Sequence, residues 1–219
     1  MIFAKIDFIN LLPFHVFIKK NLHSTQVRQI INYKKSYPSA INKKFKKRKV
    51  DAAVISSIAS RRCNANQCLD LGIIADGIVD SVLVIPGDNK EDFQSDTSNA
   101  LAKVLKIEGE VIIGDKALYK FYNSNEEFID LATQWKKKYN LPFVFARLCV
   151  NKHKKYFDKL SKKFLRTRVY IPQYILEEYS KRSGLTKNQI KDYLTKIHYK
   201  IDKKEKKSLK LFLRLSKEI

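Results

Sequence analysis

Val50-Asp51-Ala52-Ala53-Val54-Ile55-Ser56-Ser57-Ile58 is the stretch on which the fold turns. From Val50 to Ile55 it is nearly all apolar, without the alternation of a half-exposed strand. Such a run marks a strand covered on both faces. Ser56 and Ser57 follow at once, and Ser57 suits the cap of a short helix. A strand that passes directly into a helix start is the repeating step of an α/β fold.

Toward the N-terminus, Met1 to Ile9 reads as another strand. Asn10-Leu11-Leu12-Pro13 turns it into a helix, with Pro13 in the first turn and Phe14, Phe17 and Ile18 at helical spacing. Downstream, Leu69 to Ala75 and Ile78 to Ile85 read as strands parted by the turn signal Asp76-Gly77. The polar stretch Pro86 to Ser95 breaks the pattern. Asp96-Thr97-Ser98 then opens a helix that runs to Lys106. Val111 to Ile113 is a short strand closed by Gly114-Asp115. Phe128, Leu131, Ala132, Trp135 and Tyr139 form one helical stripe ending at Asn140, and Leu141 to Ala146 is a further strand. After Asn151 the chain reads as helical throughout, with a capping box at Thr186-Lys187-Asn188-Gln189 and a last helix marked by Leu209, Phe212 and Leu213. There is no internal repeat and no glycine-rich linker. This order predicts an α/β fold with a mostly parallel sheet and a helical C-terminal region.

Composition narrows the classes of function. No apolar run approaches the length of a membrane span, and Lys5 and Asp7 interrupt the N-terminal apolar stretch as a secretory signal would not. The expectation is a cytoplasmic protein that engages no membrane. A net charge of +22 raises three partner classes: nucleic acid, an anionic membrane or a small anionic substrate. Because the lysines are spread along the whole chain, a solubilising surface accounts for most of that charge. Cys63, Cys68 and Cys149 make an odd count, which fits reduced thiols. Cys63 and Cys68 lack the short spacing of a zinc knuckle, so no metal site is expected.

Asn10, Ser57 and the pair Thr97 and Ser98 share one kind of location. Asn10 and Ser57 follow strands, while Thr97 and Ser98 start a helix. In open α/β sheets ligands bind beyond the carboxyl ends of strands, where helix N-termini favour carboxylates and phosphates. Each residue alone is equally well explained as a cap or, for Asn10, a turn residue. Their joint placement points to a site.

These stretches carry a resemblance. Lys5-Ile6-Asp7-Phe8-Ile9-Asn10-Leu11-Leu12-Pro13-Phe14 is similar to the opening motif of the chorismate dehydratases, and Val50 to Ile58 to their second. Gly72-Ile73-Ile74-Ala75-Asp76-Gly77-Ile78-Val79-Asp80-Ser81-Val82 resembles the third, with Ser81 in the serine place. Thr97-Ser98, then Ile113-Gly114-Asp115-Lys116-Ala117-Leu118, then Trp135 with Leu141 to Ala146 continue in the family order. The match spans residues 1 to 150 and is nearest to the lysine-rich Campylobacter and Helicobacter variety. Where family members often carry Pro then Ser after the second strand, this chain has Ser56-Ser57. The tail after Asn151 follows the family only loosely.

The resemblance implies a two-lobed periplasmic-binding-protein-like (type II) fold with a central cleft. One lobe would comprise 1–84 plus 147–219 and the other 85–146. It also implies a hydro-lyase that dehydrates chorismate on the futalosine route to menaquinone, needing no cofactor and no metal. Within it, Asn10 is the expected catalytic residue. Ser57 and Ser81 would hold the ring carboxylate or hydroxyl, and Thr97 and Ser98 the other carboxylate. No base is evident: His15 reads as a packing or surface residue, and His23, His153 and His198 lie outside every motif. The proton is expected to go to the substrate's own enolpyruvyl carboxylate; Asp115, also among the substrate-binding residues, is the rival base, or else a strand-end cap. Two other readings remain: a non-catalytic small-anion binding module on the same fold, and a nucleic-acid-binding protein. The second rests on the helix-turn-helix flavour of Ser180 to Lys200, with Gly184, Lys187, Lys191 and Lys196, and on the basic run Lys43 to Lys49. No base-reading signature accompanies it, so nucleic acid is not the expected partner.

Overall fold

The fold was analysed in a computed structural model that describes residues 1–21, 32–64 and 66–219; His23 lies outside the described residues. The chain opens with β1 (Ile2–Lys5), a single 3-10 turn (Ile9–Leu11) and α1 (Leu12–Asn21). It continues through β2 (Asn32–Lys35), α2 (Pro38–Lys46), β3 (Ala52–Ser56), α3 (Ser57–Ser60), β4 (Cys68–Ala75) and β5 (Val82–Ile85). Next come α4 (Asp96–Leu105), β6 (Glu110–Ile113), α5 (Gly114–Asn123), β7 (Ile129–Asp130), α6 (Leu131–Tyr139) and β8 (Phe143–Val150). The tail holds α7 (Lys154–Leu165), α8 (Gln173–Ser183), α9 (Lys187–Thr195), β9 (His198–Lys200) and α10 (Lys203–Leu215). No helix of the described residues is long and apolar enough to cross a membrane.

The strands form two sheets, one in the order β2-β1-β3-β8-β4-β9 and a smaller one in the order β6-β5-β7. Every residue of β3 is buried, as its unbroken apolar run requires. The larger sheet is mixed, not mostly parallel as the sequence suggested. β2, β1 and β3 run parallel, but β8 is antiparallel to both β3 and β4, and β9 is antiparallel to β4. The reversal arises because β8 re-enters this sheet after the chain has built the smaller one.

Aromatic contacts clamp helices onto the larger sheet. Phe3 of β1 lies 5.9 Å from Phe14 of α1 and 6.2 Å from Phe157 of α7, centroid to centroid. On β8, Phe143 meets Trp135 of α6 at 5.2 Å and Phe212 of α10 at 4.9 Å. The buried Trp135 indole donates to Ser208 Oγ at 2.9 Å, satisfying the one polar atom in that cluster.

Several elements differ from the sequence reading. β1 ends at Lys5 rather than Ile9, where the chain turns so that Asp7 can accept from Tyr179 and pair with Arg182. β5 starts at Val82, not Ile78, because the Asp130 carboxylate takes the N–H groups of Val79 and Asp80 at 2.8 Å each. Gly114, with φ +65, begins a full helix instead of closing a strand. β2, β7 and β9 are short and carry little apolar periodicity. The capping box at Thr186 and Gln189 is present as read.

Gly72 of β4 is where the larger sheet has least room. A Cβ there would lie 2.4 Å from the Ala146 carbonyl oxygen on β8 and 2.9 Å from Ile201. Gly72→Ala is expected to cost about 1–3 kcal/mol. Urea unfolding would register this as a lower midpoint at unchanged slope.

Candidate active site

A cavity lies between the two sheets, with about 620 Å³ of open space counted out to its mouth. The larger sheet and the segment after β1 contribute Ile6, Phe8, Asn10, Val54, Ser56 and Ala146 to its wall. Ser81, Ser95, Thr97, Ser98 and Gly114 face them from the loop before β5 and from the starts of α4 and α5. Its wall is mostly apolar, and its polar groups are amides, hydroxyls and helix ends. Among the described residues no Lys, Arg, His, Asp or Glu lines it.

The α4 end is built by Ser95. Its Oγ caps the helix by accepting the Ser98 N–H at 3.1 Å, and its hydroxyl donates to Ser98 Oγ at 2.8 Å. The first-turn amides of a helix have no acceptor within it, so α4 presents its positive end to the cavity. Thr97 Oγ1 accepts the Ile58 N–H at 3.1 Å, tying α4 to α3 and hence to β3. α5 opens on the same cavity at Gly114, whose positive φ and contact with Phe8 leave no space for a side chain. A Cβ would sit 2.9 Å from the Phe8 ring.

Asn10 sits in the 3-10 turn, and its carbonyl accepts from Tyr199 of the tail at 2.8 Å. Tyr193, also of the tail, donates to Ser81 Oγ at 2.9 Å. Burial drives the Tyr193 phenol well above its usual range, so it stays a neutral donor. The left-handed Asp80 (φ +56) places Ser81, and its buried carboxylate pairs with Lys196 at 2.5 Å. Burial works against the charge on Lys196, but Asp80 and Asp192 outweigh it and raise its pKa.

Of the residues singled out in the sequence, Asn10, Ser81, Thr97 and Ser98 come together on this cavity. Ser57 does not. It is fully buried and its hydroxyl donates to the Val144 carbonyl of β8. Ser56 both caps α3, by accepting the Ala59 N–H, and lines the cavity. The alternation of a strand explains the swap: one residue further along, the side chain points elsewhere. Asp115 also turns away. It accepts the Ile9 N–H at 3.1 Å and pairs with Arg182 at 2.9 Å. Burial raises its pKa, against the opposing pull of that N–H and Arg182. So engaged, the carboxylate braces the Asn10 turn and does not line the cavity. His15 is buried in α1.

Sequence reasoning missed Ser56, Ser95, Tyr193 and Tyr199. Ser95 was legible as a cap preceding Asp96. The tyrosines were not, because only the fold brings the tail to the first turn. The helix-turn-helix segment becomes α8 and α9, joined at Gly184 with φ +73. Tyr193 of α9 bonds Ser81 behind the cavity wall, while Lys196 pairs with Asp80 and Lys187 with Glu177.

Two sheets with a polar-rimmed cavity between them, joined by chain that leaves the larger sheet and returns to it, define the class of periplasmic-binding-protein-like folds. The chain superimposes on a crystallised Archaeoglobus fulgidus protein, AF1704, with a TM-score of 0.73 at 14% identity, covering 99% of this chain and 96% of that one. For the Candida albicans CA3427 gene product, described as having the generic periplasmic binding protein fold, the TM-score is 0.56 at 12% identity, with 100% and 90% covered. For the periplasmic aliphatic sulphonate binding protein SsuA of Escherichia coli it is 0.55 at 10% identity, with the same coverage. At such identities the likeness is one of fold. A family model described as menaquinone biosynthesis matches residues 96–218. A chorismate dehydratase of Campylobacter jejuni subsp. jejuni is 46% identical over 221 residues, covering 100% of this chain and 99% of the relative. The chain belongs to the menaquinone-biosynthesis family that includes this chorismate dehydratase.

Arg182 pairs with both Asp7 and Asp115 at 2.9 Å while 36% exposed. Removing it takes from Asp115 its counter-ion and leaves Asp7 to Lys5 and the Tyr179 hydroxyl. Arg182→Gln is expected to cost about 1–3 kcal/mol, below the figure for a fully buried pair because solvent screens it. Adding Asp115→Asn should recover part of that loss in thermal melts, since it removes one stranded charge.

Proposed function

We propose that this chain is a chorismate dehydratase, a hydro-lyase that converts chorismate to 3-[(1-carboxyvinyl)oxy]benzoate and water on the futalosine route to menaquinone. The cavity is the observation that supports this most. Chorismate is a dianion built on one ring, and it needs apolar walls for the ring and two separate places for carboxylates. Thr97, Ser98 and the first turn of α4 suit one carboxylate. Ser81 and Ser56, with the start of α5 at Gly114, suit the ring carboxylate or the hydroxyl; Ser56 takes the part first given to Ser57. Asn10 orients the substrate and assists the departing hydroxyl.

In this reading the C–H bond beside the ether breaks and its proton passes to the substrate's own enolpyruvyl carboxylate. The electron pair becomes a ring double bond, the ring C–O bond breaks, and the hydroxyl leaves with that proton as water. Aromatisation supplies the driving force, so positioning and charge stabilisation suffice. The two lobes, 1–84 with 147–219 and 85–146, would have their edges drawn in to the starts of β5 and β8. They would close on the substrate by hinge motion and exclude water. The reaction is assigned to the cytoplasm.

Incubating the purified chain with chorismate and following the enolpyruvyl benzoate by mass spectrometry tests the proposal. Turnover is expected without added metal or nucleotide. Tight binding of unchanged chorismate would instead support the small-anion binding module. Asn10→Ala should lower kcat far more than it lowers Tm; matched losses would make Asn10 a structural cap. Ser98→Ala should raise KM, equivalent to about 1–3 kcal/mol for one lost charged hydrogen bond.

A further inference from the structure

Cys63, Cys68 and Cys149 look unrelated in the sequence, yet the fold brings them to one point. Cys68 opens β4 and is the direct strand partner of Cys149 on β8. Cys63 comes from the turn after α3. Their three Sγ atoms all lie within 4.8 Å of one another, and all three are free thiols. Cys149 is fully buried and the other two are half-buried. None of them lines the cavity described above. Cys63 instead lines a separate basic groove with Lys43, Lys46, Arg48, Arg61 and Arg62, which gives solvent a path to the cluster. Hydrogen bonds from Cys149 and Cys63 hold the Cys68 thiol down to about 4. The bond to Cys149 pulls Cys63 down, but the bond to Cys68 and burial push it up to about 11. Burial and the bonds to Cys63 and Cys68 push Cys149 up. The positive charge of Arg147 is the weakest of the influences on Cys63 and Cys68. Its Nε is buried without a hydrogen-bond partner among the described residues.

We propose that Cys63, Cys68 and Cys149 bind a thiophilic cation, Zn²⁺, through three thiolates, with water from the basic groove in the fourth place. Zn–S bonds of about 2.3 Å in a tetrahedron set sulfur atoms on the order of 3.8 Å apart, so closing from 4.8 Å asks little of the side chains. Soft sulfur donors exclude Mg²⁺ and Ca²⁺, which take oxygen. Three Zn–S bonds form, the thiol protons pass to solvent, and nothing is oxidised or reduced. The complex carries one net negative charge, which Arg147 offsets. Bound zinc would clip the α3 turn to the β4–β8 pair. The linear spacing of Cys63 and Cys68 argued against a metal only because the third ligand arrives from β8.

The full chain, kept reduced and stripped of metal by a chelator, would be titrated with Co²⁺ and then Zn²⁺. One Co²⁺ per chain is expected, with a thiolate-to-cobalt charge-transfer band in the near ultraviolet and tetrahedral d–d bands in the visible, all displaced by Zn²⁺. Zinc should also raise Tm. Cys63→Ala, at a half-buried turn position and checked for folding by circular dichroism, should abolish the charge-transfer intensity expected of three thiolates. It should weaken binding by more than the roughly 100-fold that is the upper range for a mere supporting group. Absence of the bands, or bands of unchanged intensity in Cys63→Ala, would overturn the proposal. So would a thiol titration in glutathione buffer that finds one free thiol instead of three, since two of the cysteines would then form a disulfide. None of these readouts involves chorismate, so they stand or fall apart from the proposed activity.

Discussion

Strand β8 is hydrogen-bonded along both edges, to β3 on one side and to β4 on the other, and the remaining elements take their places from it. It brings the chain back from the smaller sheet, and it is held by Trp135 before it and Phe212 after it. Each of these large side chains is fully buried, worth roughly 1.5–3 kcal/mol apiece. Once β8 is fixed, its Val144 carbonyl fixes Ser57, and Ser56 is left aimed at the cavity. Phe145 and Ala146 supply part of the cavity wall.

The charge of the molecule and the chemistry of the cavity run in opposite directions. The chain carries +22, yet no cation lines the cavity among the described residues. Lysine or arginine placed there would have to shed water or find a carboxylate partner. The cations nearest the site have found such partners: Arg182 holds Asp7 and Asp115, and Lys196 holds Asp80. They stiffen the loops that carry Asn10 and Ser81. Anions inside the cavity would meet helix ends and hydroxyls, which are already oriented. The surface charge acts only from outside, and salt limits its reach to about 8 Å under physiological conditions.

Legibility in the sequence followed the range of the interactions. Local signals held: the apolar run of β3, the capping box at Thr186 and the helix opened by Asp96 are set by neighbours a few residues away. Cavity residues at strand ends and helix starts were legible for the same reason, as with Asn10, Thr97 and Ser98. Ser57 falls one position off the cavity, because a strand's alternation is decided by which face meets the core, and Val50 to Ile55 is apolar on both. Asp115 falls outside it because its partners, Ile9 and Arg182, are remote in the chain. Tyr193 and Tyr199 left no local trace at all. The mixed sheet was hidden for a related reason: strand direction depends on where β8 returns, and periodicity carries no direction.

Tyr199 reaches back to the Asn10 carbonyl, and Tyr193 to Ser81, so the turn at Asn10 is completed by the tail. A ribosome would deliver Asn10 and Tyr199 189 residues apart. Until Tyr199 and the residues beyond it have emerged, the Asn10 carbonyl lacks its partner, and β8 lacks the cover that α10 provides. A nascent chain therefore exposes apolar sheet surface until the tail has emerged, and completes the cavity wall only then. That makes the tail the timing element of the fold and the early strands the part most in need of protection while they wait.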